Sequence, residues 1–109
     1  MFVKIKHEDK EYRIGFTRFT AKAMDAAGFD ISEWASHMAT SVPMIVHYAF
    51  KAKHPNISDH QAETIWAAQR GKNKLLHAMV ESYAQTFGSL LDDNTDEDDK
   101  ENVSWEIEE

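Results

Sequence analysis

Apolar and polar residues alternate with period two over Phe2-Val3-Lys4-Ile5-Lys6 and again over Tyr12-Arg13-Ile14-Gly15-Phe16, and the polar stretch His7-Glu8-Asp9-Lys10-Glu11 separates the two runs. Successive side chains of a strand point to opposite faces, so this pattern predicts a β-hairpin with one apolar face. Two strands alone are marginally stable, and that face must therefore lie on helices.

Beyond Phe16 the spacing becomes helical. Arg18 to Ala27 predicts a first helix with Phe19, Ala23, Ala26 and Ala27 on one side and Gly28 as a left-handed C-terminal cap. Asp30 with Glu33 three residues later predicts a capping box opening a short second helix through Trp34 and Met38. Pro43 suits the first turn of a third helix, whose Ile45, Val46, Tyr48, Ala49 and Phe50 are apolar nearly all round and predict a central position. His54-Pro55 ends it, because a residue before proline disfavours helical geometry. Ser58 and Gln61 repeat the capping pattern and open a fourth helix through Ala62, Ile65 and Trp66, with Gly71 as its stop. From Lys74 a fifth, strongly amphipathic helix is marked by Leu75, Leu76, Met79, Val80, Tyr83, Ala84, Phe87, Leu90 and Leu91. The expected fold is mainly α, of the α+β class: an N-terminal hairpin packed on a bundle of four to five helices over residues 1–91. An acidic, flexible tail over 92–109 is expected to follow, in which Val103-Ser104-Trp105-Glu106-Ile107 resumes a strand-like alternation.

Charge is unevenly placed. The net of −7 for the 109 residues divides into ten acids against Lys100 in residues 92–109, and eleven Lys/Arg against nine Asp/Glu in residues 1–91. The acidity thus belongs to the tail, and a body with two excess positive charges lacks the basic cluster that neutralising several phosphates requires, so nucleic-acid binding is not expected. The chain has no cysteine, which excludes disulfides, thiolate metal sites and cysteine nucleophiles. Its apolar runs are only a few residues long and its start alternates apolar with charged residues, so neither a membrane span nor an export signal is expected.

Candidate chemistry is sparse. Among the six histidines, His47, His54 and His60 are the closest-spaced three, yet no pair takes the i, i+4 arrangement of a zinc helix. His54 reads better as a helix-terminal residue suited to the negative end of the dipole. Asp92-Asp93-Asn94-Thr95-Asp96 has oxygen ligands at alternate positions of a calcium loop, but Glu97 stands where the glycine is needed and Val103 where the bidentate Glu is needed. Gly15, Gly28, Gly71 and Gly88 are isolated, with no phosphate-binding loop, and no nucleophile stands beside a base. The expectation is a protein that is not an enzyme and uses no metal or cofactor.

Aromatic and methionine side chains are plentiful: Trp34, Met38, Met44, Tyr48, Phe50, Trp66, Met79, Tyr83 and Phe87. Most should fill the core. Trp105 and Ile107 form a short apolar patch beyond the charged run, able to dock on a sheet edge or to join a partner as an added strand. The sequence leaves both open.

The order of segments carries a resemblance. Tyr12-Arg13-Ile14-Gly15-Phe16-Thr17-Arg18-Phe19-Thr20 leads into Ala26-Ala27-Gly28-Phe29-Asp30, followed by Tyr48-Ala49-Phe50, His54-Pro55, Glu81-Ser82-Tyr83 and an acidic ending Asn102-Val103-Ser104-Trp105-Glu106-Ile107. This combination, over nearly the whole chain, resembles the tail assembly chaperones of long-tailed phages and prophages of Gram-positive hosts. The resemblance implies a helper in the host cell cytoplasm, absent from the mature virion, that binds the tape measure protein and brings tail tube protein to it. It supplies no catalytic residues and no motif that fixes contacts. Side-chain type and position then assign partner contact to the exposed side of the third and fifth helices and the tail aromatic: Tyr48, Met79, Tyr83, Phe87 and Trp105. Two alternatives fit the sequence: a structural tail or connector component of the virion, and an acidic regulator or nucleic-acid mimic that occupies a DNA-binding protein. A homo-oligomer is compatible with either.

Overall fold

A computed structural model describes residues 1–91 of the chain. Strand β1 (Phe2–His7) pairs antiparallel with β2 (Lys10–Gly15), with Val3 opposite Ile14 and Ile5 opposite Tyr12. That register collects Val3, Ile5, Tyr12 and Ile14 on one face, as the alternation predicts, and the face packs on the helical core. Glu8 and Asp9 make the turn with positive φ at both positions (52° and 67°), the handedness that matches the twist of a two-residue hairpin.

Four α-helices follow: α1 (Arg18–Ala26), α2 (Met38–Lys51), α3 (Asp59–Ala67) and α4 (Lys72–Leu91), with one 3₁₀ turn at Trp34–Ser36. Helix α1 starts from a Thr17/Thr20 capping box, in which Thr17 Oγ1 accepts from the Thr20 N–H (3.1 Å) and Thr20 Oγ1 accepts from the Thr17 N–H (3.0 Å). Ser58 caps α3 by accepting from the Gln61 N–H (3.0 Å). Helix α2 is central, burying Ile45, Val46, Ala49 and Phe50 and packing against α1, α3, α4 and β2. The core joins it to Ile14, Phe16, Met24, Phe29, Ile65, Trp66, Leu76 and Met79.

Three expectations are corrected. Asp30 opens no capping box: its carboxylate accepts from both the Ser32 N–H (2.9 Å) and the Ser32 hydroxyl (2.7 Å), a local turn that leaves only the 3₁₀ turn where a second helix was expected. Helix α2 begins at Met38, so Pro43 lies inside it rather than in its first turn. Helix α1 buries Thr20, Ala21 and Met24 instead of the Phe19, Ala23, Ala26 and Ala27 face, and Phe19 points to solvent. No helix among the described residues is long and apolar enough to cross a membrane.

Polar side chains from the helical part fasten the hairpin. The Arg13 N–H donates to His54 Nε2 (3.2 Å), Gln69 Nε2 donates to the Lys6 carbonyl (3.0 Å), and Ser82 Oγ accepts from the Phe16 N–H (2.9 Å) while donating to the Met1 carbonyl (2.7 Å). A two-stranded sheet has two open edges, and these bonds occupy backbone groups that would otherwise be available to another chain. Among the described residues, no buried side-chain nitrogen or oxygen lacks a hydrogen-bond partner.

Candidate docking surface

Phe19 is the outlier of the surface. It is 80% exposed, against 42–46% for Met1, Ile31 and Met38, the other exposed large apolar residues among those described. The capping box fixes the register at which α1 begins, and Ala21 and Met24 take the core-facing arc, which leaves Phe19 about 140–160° away from them at 100° per residue. Beside it α4 presents Thr86 and Phe87. Arg18, Phe19, Lys22, Thr86 and Phe87 line a groove of about 410 Å³ between α1 and α4, with an aromatic floor and a cationic side.

The α4 wall of the groove is rigidly backed. Phe87 is half-buried and stands edge-on to Tyr83 at 5.0 Å between centroids, and Tyr83 makes further edge contacts with Phe29 (4.9 Å) and Phe16 (5.5 Å). Burial, together with the charge of Asp25 and a hydrogen bond to it, and with Asp30 nearby, pushes the Tyr83 hydroxyl up to about 12.

The residues expected to touch a partner separate in the structure. Phe87 lines the groove. Tyr48 is half-buried on α2, with Lys51 Nζ 5.9 Å from its ring centre, away from the groove lining. Met79 (0% exposed) and Tyr83 (3%) are core residues, which corrects their assignment to an exposed side: α4 is apolar over a wide arc, and these two positions face α1, α2 and the hairpin. Trp105 lies outside the described residues, as does the Asp92–Asp96 stretch. Phe19, expected on the apolar side of α1 with Ala23, Ala26 and Ala27, faces solvent instead. The signal that could have found it is Met24 five residues on, a larger core candidate on the opposite side of the same helix.

The histidines are dispersed. His47, on α2, meets Glu63 (2.5 Å) and Asp59 (3.6 Å) of α3, and Asp59 also lies 3.5 Å from Lys51. His54 accepts the Arg13 N–H and stands edge-on to Tyr12 at 5.2 Å, and burial lowers its pKa below the ordinary value of 6.5. His60 borders an open, mixed cleft of about 440 Å³ with His7, Glu8, Lys10 and Tyr12. Among the described residues, no group of three or more histidines and carboxylates is placed to hold a metal ion.

A family model described as a domain of unknown function, DUF5055, matches residues 1–108. The chain belongs to the DUF5055 family. No curated protein and no solved structure matches it. The DUF5055 match runs through the hairpin, every helix and the acidic segment as far as Ile107 and Glu108. Residues 92–108 thus fall within the span that the family model matches.

Proposed function

We propose that this DUF5055 chain is a non-catalytic phage tail assembly chaperone, which holds amphipathic helical segments of the tape measure protein and assists tail tube assembly in the cytoplasm of the host. The ordered likeness of its segments to that group supports the reading. The observation that carries it is Phe19, 80% exposed beside the half-buried Phe87, in a groove between two helices. A helix laid in such a groove presents apolar residues at i, i+3 and i+4, and covering one phenylalanine contributes about 2 kcal/mol. Arg18 and Lys22 on the α1 side favour a client whose apolar stripe is flanked by acids.

The test is co-expression with the tape measure protein followed by affinity capture. Wild type should retain the client, Phe19→Ala and Phe87→Ala should each weaken capture about tenfold or more, and Tyr48→Ala should change it little. Failure of the wild type to hold any tape measure segment would end the chaperone reading. Capture undiminished by Phe19→Ala would remove the groove from it. Mass spectrometry of purified particles separates a helper, absent or trace, from a structural tail component.

A further inference from the structure

The groove has a candidate occupant in the same chain. We infer that the α1–α4 groove is the docking site of the chain's own segment Val103–Ile107, with Trp105 and Ile107 on Phe19 and Phe87 and the neighbouring acids against Arg18 and Lys22. Four observations converge on this occupant.

The first is position. Phe87 lies four residues before Leu91, the last residue of α4, so the chain leaves the helix about 6 Å along its axis from the groove wall. The second is reach: residues 92–104 supply thirteen residues before Trp105, which span at most about 45 Å when extended. That is ample for a return to a groove beside the exit. A tether of this length also holds its far end at an effective concentration of about millimolar, so that even a weak contact is well populated.

The third is chemistry. Trp105 and Ile107 are separated by one residue, which in an extended segment puts both on the same side, and Glu106 points away from them. Glu106, Glu108 and Glu109 surround an apolar pair, as Arg18 and Lys22 flank an apolar floor. The charge balance agrees, since residues 1–91 carry two excess positive charges and residues 92–109 nine excess negative ones. The fourth is the family match, which continues to residue 108 and so includes this segment with the helices. On the hairpin, the Arg13 N–H, Lys6 carbonyl and Phe16 N–H are already bonded to His54, Gln69 and Ser82, so those three groups are not open to an added strand.

The docked segment covers the most exposed aromatic side chain of the body. Displacement of it by a client is a corollary that rests on the chaperone reading, whereas the docking itself does not require a client.

Because the chain has no cysteine, two can be placed at will. Ala26→Cys, exposed and one turn beyond Lys22 on α1, is combined with Glu108→Cys in the full chain, and the rate of disulfide formation within one chain is measured under a mild oxidant. The same pair is then measured with Trp105→Ser and Ile107→Ser, which keep the tether length and remove the anchors. We expect closure about tenfold faster with the anchors present, and a similar slowing when Phe19→Ala is introduced instead. Equal rates in all three backgrounds would overturn the inference. Disulfides formed only between chains would overturn it too, and would give the groove to the segment of a second copy. No client is present in this assay, so its failure leaves the chaperone reading untouched, and failure of client capture leaves the docking result standing.

Discussion

Ser82→Ala removes one oxygen atom and disturbs three parts of the chain. Ser82 is 1% exposed on α4, and its hydroxyl accepts from the Phe16 N–H at 2.9 Å while donating to the Met1 carbonyl at 2.7 Å. Phe16 is 2% exposed, so its N–H has no access to water once Oγ is gone, and an orphaned buried donor costs about 1–3 kcal/mol. The Met1 carbonyl belongs to a residue that is 45% exposed and can turn to solvent, so it adds little. The vacated space is smaller than a methylene and also adds little. The expected destabilisation is therefore about 2 kcal/mol, which lowers the midpoint of thermal unfolding by about 10 °C for a body of this size.

Urea unfolding followed by circular dichroism measures that loss, and the slope against denaturant should not change, because the substitution exposes no new surface on unfolding. Amide exchange gives a local readout: the Phe16 N–H should be protected in the wild type and exchange much faster in Ser82→Ala. A loss below about 0.5 kcal/mol with Phe16 still protected would refute the reasoning, since the N–H would then have another partner or would never have depended on Ser82.

Gly15→Ala should destabilise by about 1–3 kcal/mol, because a Cβ there would lie 2.6 Å from the Met1 carbonyl oxygen and 2.8 Å from Phe2 Cδ2; it should combine non-additively with Ser82→Ala in a double-mutant cycle, as both act on Met1. His54 has a folded pKa below 6.5, so its contribution is complete above pH 6.5 and is lost as pH falls through 6.5 and then through the folded value; His54→Gln, which can still accept from Arg13, should lose less stability than the wild type over that acid range in urea titrations. Tyr83 has a folded pKa raised to about 12, so its contribution holds below the ordinary value of 10.0 and is lost between pH 10 and 12; the stability difference between wild type and Tyr83→Phe should narrow over that window. Phe19→Lys, made in the Trp105→Ser and Ile107→Ser background so that no docked segment contributes, should leave the unfolding free energy within about 0.5 kcal/mol of that background, given 80% exposure, and a loss above about 1 kcal/mol by the same assay would mean that the ring is packed within the body.

The hairpin and its apolar face were legible because alternation with period two puts Val3 and Ile5 on one side of β1 and Tyr12 and Ile14 on one side of β2, whereas the pairing of Val3 with Ile14 is set by the two-residue turn at Glu8 and Asp9. The central place of α2 followed from its apolar circumference, and the start of α3 from Ser58. The start of α2 was illegible for a physical reason: its N-cap, His37, makes no side-chain hydrogen bond, so nothing in the residues marks it. Pro43 invited a later start, yet a proline six residues into a helix is accommodated when tertiary packing outweighs the one lost N–H bond. Asp30 illustrates competition, since an aspartate that can close a turn on Ser32 need not cap a helix. As for the site, Phe87 was legible as an apolar residue near the end of the long helix, and Phe19 was not. Its sequence neighbours Ala23, Ala26 and Ala27 made a plausible apolar face, and only the tertiary position of Met24 and Ala21 decides which side of α1 meets the core.

The exposure of Phe19 is a property of how α1 is held rather than of a loose helix. Turning α1 about its axis to bury the ring would break the Thr17/Thr20 box at its start and would carry Ala21 and Met24, both 0% exposed, toward water. Uncovering Met24 alone costs about 1.5–3 kcal/mol, and an orphaned cap adds about 1 kcal/mol, against about 2 kcal/mol for sheltering one phenylalanine. The fold therefore does not hide Phe19 by a local adjustment, and any cover for the ring is a segment brought to it. The two proposals meet at this ring: the tethered Trp105 and Ile107 would cover it within the chain, and an amphipathic client helix would cover it in a complex.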